Sequence, residues 1–155
     1  MGDDDTLHAL LNAMNIEQLR LARRTLEQIR VRALHNEFSG KPRYRDLNGC
    51  LCAVGALMPD FVLDKIADSK NNESSIGGLV FTPPGDSPYR RVRVIQVIVE
   101  ETGLGRGDIK DLQQTHDNVP HSQFRESETW TADERRARAN ERVRKWAESR
   151  LEHLF

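Results

Sequence analysis

The feature that most limits how this chain can fold is a nine-residue stretch, Cys50-Leu51-Cys52-Ala53-Val54-Gly55-Ala56-Leu57-Met58, with no polar side chain on any side. An amphipathic segment buries one face, whereas a segment apolar all round has to be covered from several directions. It therefore predicts the centre of the molecule. Ala53, Gly55 and Ala56 are small enough for neighbouring elements to approach closely. Asn48-Gly49 just before it is a turn signal, and Pro59 just after it stops a helix. The expectation is a short central helix that breaks at Pro59 and continues as Asp60–Asp68. At this length the stretch is far too short to span a bilayer.

Helical patterns surround that centre. Leu7, Leu10, Leu11 and Met14 share one face of a first helix over Thr6–Met14. Asn15, with Gln18 three residues on, reads as the cap of a second helix running to about Asn36. Ile16, Leu19, Leu26, Ile29 and Ala33 mark its apolar side, and Arg20, Arg23, Arg24, Arg30 and Arg32 its basic side. Ser39-Gly40-Lys41-Pro42 breaks it, and residues 69–87 form the loosest stretch, with a short strand or flap at Leu79–Phe81.

Ser87-Pro88 opens a helix that ends at Gly103, although the β-branched run Val92–Val99 suits a strand as well. Asp108 caps a short helix, Ile109–Thr115, leading into a His116-Asp117-Asn118 turn. Thr131 and Glu134 make a capping box for a terminal helix over about 132–153, whose stripe includes Ala139, Val143, Trp146, Ala147 and Leu151. The fold class that follows is mainly α: one domain over 1–155, a compact bundle of five or six helices around the buried central helix, with one small β-hairpin accommodated. A length of 155 residues suits a single core.

The candidate chemistry begins at the two cysteines. A cysteine in the first turn of a helix meets the positive end of the dipole, which favours thiolate. Cys52 or Cys50, with His116 as base and Asp117 to orient it, would make a cysteine hydrolase or transferase. Against this, cysteine is among the most buried residue types, and the local signature of papain-like enzymes is missing. Cys50, Cys52, His116 and His121 offer four zinc ligands, but one intervening residue on a helix turns two thiols roughly 200° apart. No metal and no cofactor is expected. A disulfide between residues this close is strained and closes almost no loop.

Net charge is −1 and the pI about 6.5, without the basic excess of a dedicated nucleic-acid binder. The arginines of the second helix, and those of the terminal helix from Arg135 to Arg150, alternate with acids, which disfavours nucleic acid and marks solvated faces. Met1-Gly2-Asp3-Asp4-Asp5-Thr6 fits an acylation pattern formally, but its aspartates repel anionic lipid. No membrane association is expected. Without signal-peptide features the cytoplasm is the expected compartment, and there the Asn72-Glu73-Ser74 sequon carries no glycan.

Cys52-Ala53-Val54-Gly55-Ala56-Leu57 resembles the Cys-x-x-Gly-(Ala or Val)-Leu core of a group of small phage and actinobacterial proteins. Thr102-Gly103-Leu104, Leu112-Gln113-Gln114-Thr115-His116-Asp117 and Phe124 follow in that group's order, with histidine where asparagine is common. The resemblance covers about Leu47–Phe124. It implies a phage or mobile-element origin and a helical domain that packs Cys52 and Gly55, and it transfers no catalytic residue.

With no complete catalytic set, the sequence favours a non-enzymatic protein-binding domain acting on a host or phage protein, in the host cytoplasm if phage-encoded. The expected partner-binding residues are Arg20, Arg23, Arg24, Arg30, Trp146 and Phe155, since arginine and aromatic side chains dominate interfaces. The cysteine enzyme and the nucleic-acid binder are the alternatives, and the oligomeric state is open.

Overall fold

The computed structural model describes residues 3–67, 69–83, 85, 87 and 90–154, and of residues 3–5, 7–14, 70 and 73 the backbone alone. The fold is mainly α. Its elements are α1 (Asp3–Leu34), α2 (Asp60–Ala67), β1 (Val80–Phe81), β2 (Val92–Arg93), α3 (Val94–Thr102), α4 (Arg106–Asp117), the single turn α5 (Phe124–Ser127) and α6 (Ala132–Glu152). No helix among the described residues is long and apolar enough to cross a membrane.

α1 is one helix, not two. It runs 32 residues, about 48 Å, straight through Asn15. Nothing between Thr6 and Leu34 is proline or glycine, and an interior asparagine costs a helix well under about 1 kcal/mol, so the expected cap does not form. The stop is Asn36, which adopts the left-handed conformation at φ 57°. The Glu37 N–H bonds the Arg32 carbonyl and the Asn36 N–H that of Ala33, which makes a Schellman motif.

α6 starts where the sequence placed it, with Thr131 Oγ1 accepting from the Glu134 N–H at 3.1 Å. It lies antiparallel to α1. Phe38, just past the end of α1, bonds Asn140 in the first half of α6, while Asn15, Gln18 and Leu19 share a cleft with His153 and Leu154. Ala22, Leu26, Ile29 and Ala33 of α1 and Val143, Trp146 and Ala147 of α6 are buried in one core.

Residues 52–55 and Met58 of the central stretch are buried as expected, while Cys50, Leu51, Ala56 and Leu57 are half-buried, and the stretch is not a helix. Leu51 forms a bridge with Arg45, and a single 3-10 turn spans Gly55–Leu57 before α2. Its first residues are bonded to distant partners, and only the Ala56, Leu57 and Met58 N–H groups bond back to carbonyls within the stretch. The Ser39 N–H donates to the Leu51 carbonyl, and the Cys52 N–H donates to the Tyr44 carbonyl. A helix from Cys50 would need the Leu51 carbonyl for the Gly55 N–H, which here goes to the Cys52 sulfur instead. At Gly55 the neighbouring chain comes so close that a Cβ there would lie 2.2 Å from the Tyr44 carbonyl oxygen.

Residues 69–81 are more ordered than a loose loop. Ser69 Oγ accepts from the Asn71 N–H over a 3-10 turn, a second such turn spans Ile76–Gly78, and Ile76, Leu79 and Phe81 are buried. β1 pairs antiparallel with β2 in the register Val80–Arg93 and Phe81–Val92. The β-branched run is thus strand and helix in turn. Val92 and Arg93 are held in the hairpin, and α3 begins at Val94; Pro88 of the expected start lies outside the described residues. α3 ends at Gly103, φ 74°, as its sequence signals. A Cβ at Gly103 would meet the Gln18 carbonyl at 2.6 Å, so glycine also lets α1 approach.

Candidate functional site

The chemically equipped region lies under the turn at residues 50–58, where α4 and the Ser39–Tyr44 segment converge. α4 starts at Arg106, three residues before the sequence placed it, and runs through Asp117. His116 and Asp117 are therefore its last residues, not a turn after it. Arg142 of α6 closes that end, donating from Nε to the Thr115 carbonyl at 2.9 Å and from Nη2 to the His116 carbonyl at 2.7 Å. A cation on the terminal carbonyls opposes the negative end of the helix dipole.

The His116 ring is 2% exposed and bound on both sides. Nε2 lies 2.6 Å from the Ser39 carbonyl oxygen and Nδ1 lies 2.6 Å from Asp117 Oδ1. A general base needs a nitrogen lone pair facing the proton it takes. Here each nitrogen faces an oxygen already in hydrogen-bond range, so neither is open to a thiol. The ring ties α4 to the Ser39 backbone.

Cys52 is 4% exposed. Its sulfur accepts from the Gly55 N–H at 3.2 Å within its own turn. Burial, with a smaller push from the Asp117 charge, raises the thiol from 9.0 to about 12. That is the reverse of an activated nucleophile, because the thiolate is the reactive form. Burial likewise pushes up the Tyr44 hydroxyl. That hydroxyl accepts from Gln113 Nε2 at 2.8 Å and donates to the Ser74 carbonyl. Gln113 Oε1 in turn accepts from the Ile76 N–H at 2.8 Å. Tyr44 and Gln113 hold the 3-10 segment to α4, and the sequence pattern gave no signal for this because the two are 69 residues apart.

Cys50 is half-buried and lines a surface cleft of about 230 Å³ with Lys41, Asp46, Asn48, Arg135 and Arg136. Among the described residues no histidine lines that cleft, so Cys50 meets no imidazole there. The four candidate zinc ligands do not gather either. Among the described residues no three His, Cys, Asp or Glu side chains stand where they could share a metal, and His121 packs edge-on against Phe124 at 4.8 Å between centroids.

The expected interface residues divide. Arg20, Arg23 and Arg24 are exposed on α1, with Arg20 paired to Glu17 at 3.2 Å and Arg23 to Glu27 at 3.4 Å. Arg30 is only partly exposed. Trp146 does not belong to a surface. It is 9% exposed on the α6 stripe that faces the core, with Nε1 donating to Asp111 Oδ2 at 3.2 Å and the Arg150 guanidinium stacked on its ring. Phe155 lies outside the described residues.

Two exposed apolar features escaped the sequence reading. Ile16 and Leu19, assigned to the buried side of α1, are 49% and 39% exposed and border a surface cavity of about 430 Å³ with Arg20 and Arg23. Leu47 is 89% exposed at the tip of the turn before Cys50. A leucine inside an Asp-x-Asn-Gly turn is the anomaly that marks it. No protein-family model, curated protein or solved structure matches this chain.

Proposed function

We propose that this chain is a phage-encoded, non-enzymatic protein-binding domain that acts on a host or phage protein through the amino-terminal half of α1. The observation that carries the reading is the surface where exposed Ile16 and Leu19 flank a cavity edged by Arg20 and Arg23. Aliphatic side chains left in water beside arginines are the usual make-up of an interface core and its rim. The alternation of these arginines with Glu17 and Glu27 favours a protein over a nucleic acid, whose phosphates would meet charges already paired.

The state of the polar cluster supports the same reading. Cys52 is buried with its thiol raised, and His116 is bound on both nitrogens, so the residues of the enzyme alternative serve as packing and cross-links.

A photo-crosslinking side chain at Leu19, in the cells that make the protein, tests the proposal. The expected result is a discrete covalent adduct with one other protein that is lost in the Arg20→Glu/Arg23→Glu double variant. No adduct, or an adduct indifferent to the double variant, overturns it. Rapid labelling of Cys52 in the folded protein by a thiol reagent at neutral pH would restore the enzyme alternative.

A further inference from the structure

A neutral His116 ring cannot make both of the contacts it makes. Nε2 faces the Ser39 carbonyl and Nδ1 faces Asp117, each at 2.6 Å. A carbonyl and an ionised carboxylate only accept, and a neutral imidazole has a single N–H to give, whereas the charged ring has one on each nitrogen. The arrangement in the structure is therefore that of the charged ring.

The groups around it leave the ring as the part whose charge pH resets. His116 stands in the last turn of α4, at the negative end of that helix, with Asp117 beside it. From α6 the Arg142 guanidinium holds the Thr115 and His116 carbonyls and shares the charge of Asp117 with the ring. From the 39–58 segment come the Tyr44 hydroxyl and the Cys52 thiol, both pushed up by burial and so neutral where histidine titrates. A histidine ring changes charge between about pH 5 and 8.

When the ring gives up a proton, the one on Nδ1 is the one to stay, because a bond to a carboxylate is stronger than a bond to a carbonyl. Nε2 then turns a lone pair on the Ser39 oxygen, two acceptors face to face in a buried place. The chain on either side cannot simply move off. Phe38 is held to α6, its N–H donating to Asn140 Oδ1 at 3.1 Å and its carbonyl accepting from Nδ2 at 2.9 Å. Gly40 lies against the same helix, where a Cβ would stand 2.8 Å from the Arg136 backbone. The peptide plane between Ser39 and Gly40 can still rotate. That motion changes ψ of Ser39 and φ of Gly40, and glycine accepts either sign of φ. It also exchanges the carbonyl oxygen for the Gly40 N–H, which has no acceptor among the described residues.

We propose that the Ser39–Gly40 peptide is a pH-driven switch: the charged His116 ring holds the Ser39 carbonyl, and the neutral ring, after the plane has turned, accepts from the Gly40 N–H. Nε2 is bonded in both states, so the device has two settled positions instead of one settled and one loosened. Ser39, Gly40 and Lys41 line the Cys50 cleft, where the turned carbonyl takes the place of the N–H. Rising pH thus replaces a donor by an acceptor on that wall. The switch is independent of the partner surface proposed on α1.

The test is NMR of the full chain, labelled with nitrogen-15, between about pH 5 and 8. In the acid state both His116 ring nitrogens should carry protons. As the ring becomes neutral, a coupling across the new hydrogen bond should join the Gly40 amide nitrogen to His116 Nε2. Gly40 amide exchange, corrected for its intrinsic rate at each pH, should slow about tenfold with the same midpoint as the ring. His116→Gln, whose amide donates at every pH, should hold the Gly40 signals at their acid-state values. A ring that keeps one charge state throughout, or a neutral ring with neither coupling to Gly40 nor slower Gly40 exchange, overturns the proposal. Both readings come from the unaltered protein, so they decide the matter even if the variant fails to fold.

Discussion

Replacing His116 by alanine separates a structural histidine from a chemical one. The ring is 2% exposed, and the Ser39 residue whose carbonyl it meets is also 2% exposed. Depriving that buried acceptor of its partner costs about 1–3 kcal/mol. The bond to Asp117 is worth less, about 1 kcal/mol, because that carboxylate is 23% exposed and water can replace the ring. Emptying the packed site adds about 1–2 kcal/mol for lost contacts. The expected loss is about 3–6 kcal/mol, a large part of the stability of a domain this size.

Equilibrium unfolding in urea measures it. With a slope of about 2 kcal/mol per molar, the midpoint should fall by about 1.5–3 M while the slope stays unchanged. His116→Gln should recover part of the loss, since its amide can reach the Ser39 carbonyl. The reasoning fails if His116→Ala costs less than about 1 kcal/mol or stabilises the protein, because stabilisation on removal is the usual mark of a strained functional group.

Three further outcomes follow from neighbouring residues. The Cys52 thiol is raised from 9.0 to about 12, so its contribution to folded stability should be complete below pH 9 and decline as pH rises towards 12, where the unfolded chain sheds a proton the folded one keeps; in alkaline urea titrations Cys52→Ala should remove the part of the decline that sets in near pH 9 and leave the part due to the buried Tyr44 hydroxyl. Gly55→Ala should cost at least about 3 kcal/mol in thermal unfolding because its Cβ meets the Tyr44 backbone at 2.2 Å, whereas Gly78→Ala, with nothing within 4 Å, should stay within about 0.5 kcal/mol. Asn140→Leu strands the Phe38 N–H that Oδ1 accepts at 3.1 Å and should lower stability by about 2–3 kcal/mol, a melting temperature drop of roughly 4–12 °C by calorimetry.

The sequence alone determined what depends on neighbours along the chain. The burial of residues 52–55, the Thr131 cap, the Gly103 stop and the apolar stripe of α6 are all legible as local pattern, because capping and periodicity act over four residues or fewer. Tertiary structure decided everything that turned on a distant partner. It made residues 50–58 a turn instead of a helix, because the Ser39 N–H takes the Leu51 carbonyl a helix would use and the Tyr44 carbonyl holds the Cys52 N–H. It turned Trp146 into the core against Asp111 and Arg150, and fixed both nitrogens of His116 on oxygens from two segments. It also left Ile16 and Leu19 in water, since α6 ends opposite that turn of α1. An apolar side chain states that it favours burial, but only the arrangement of the other elements supplies the surface that buries it.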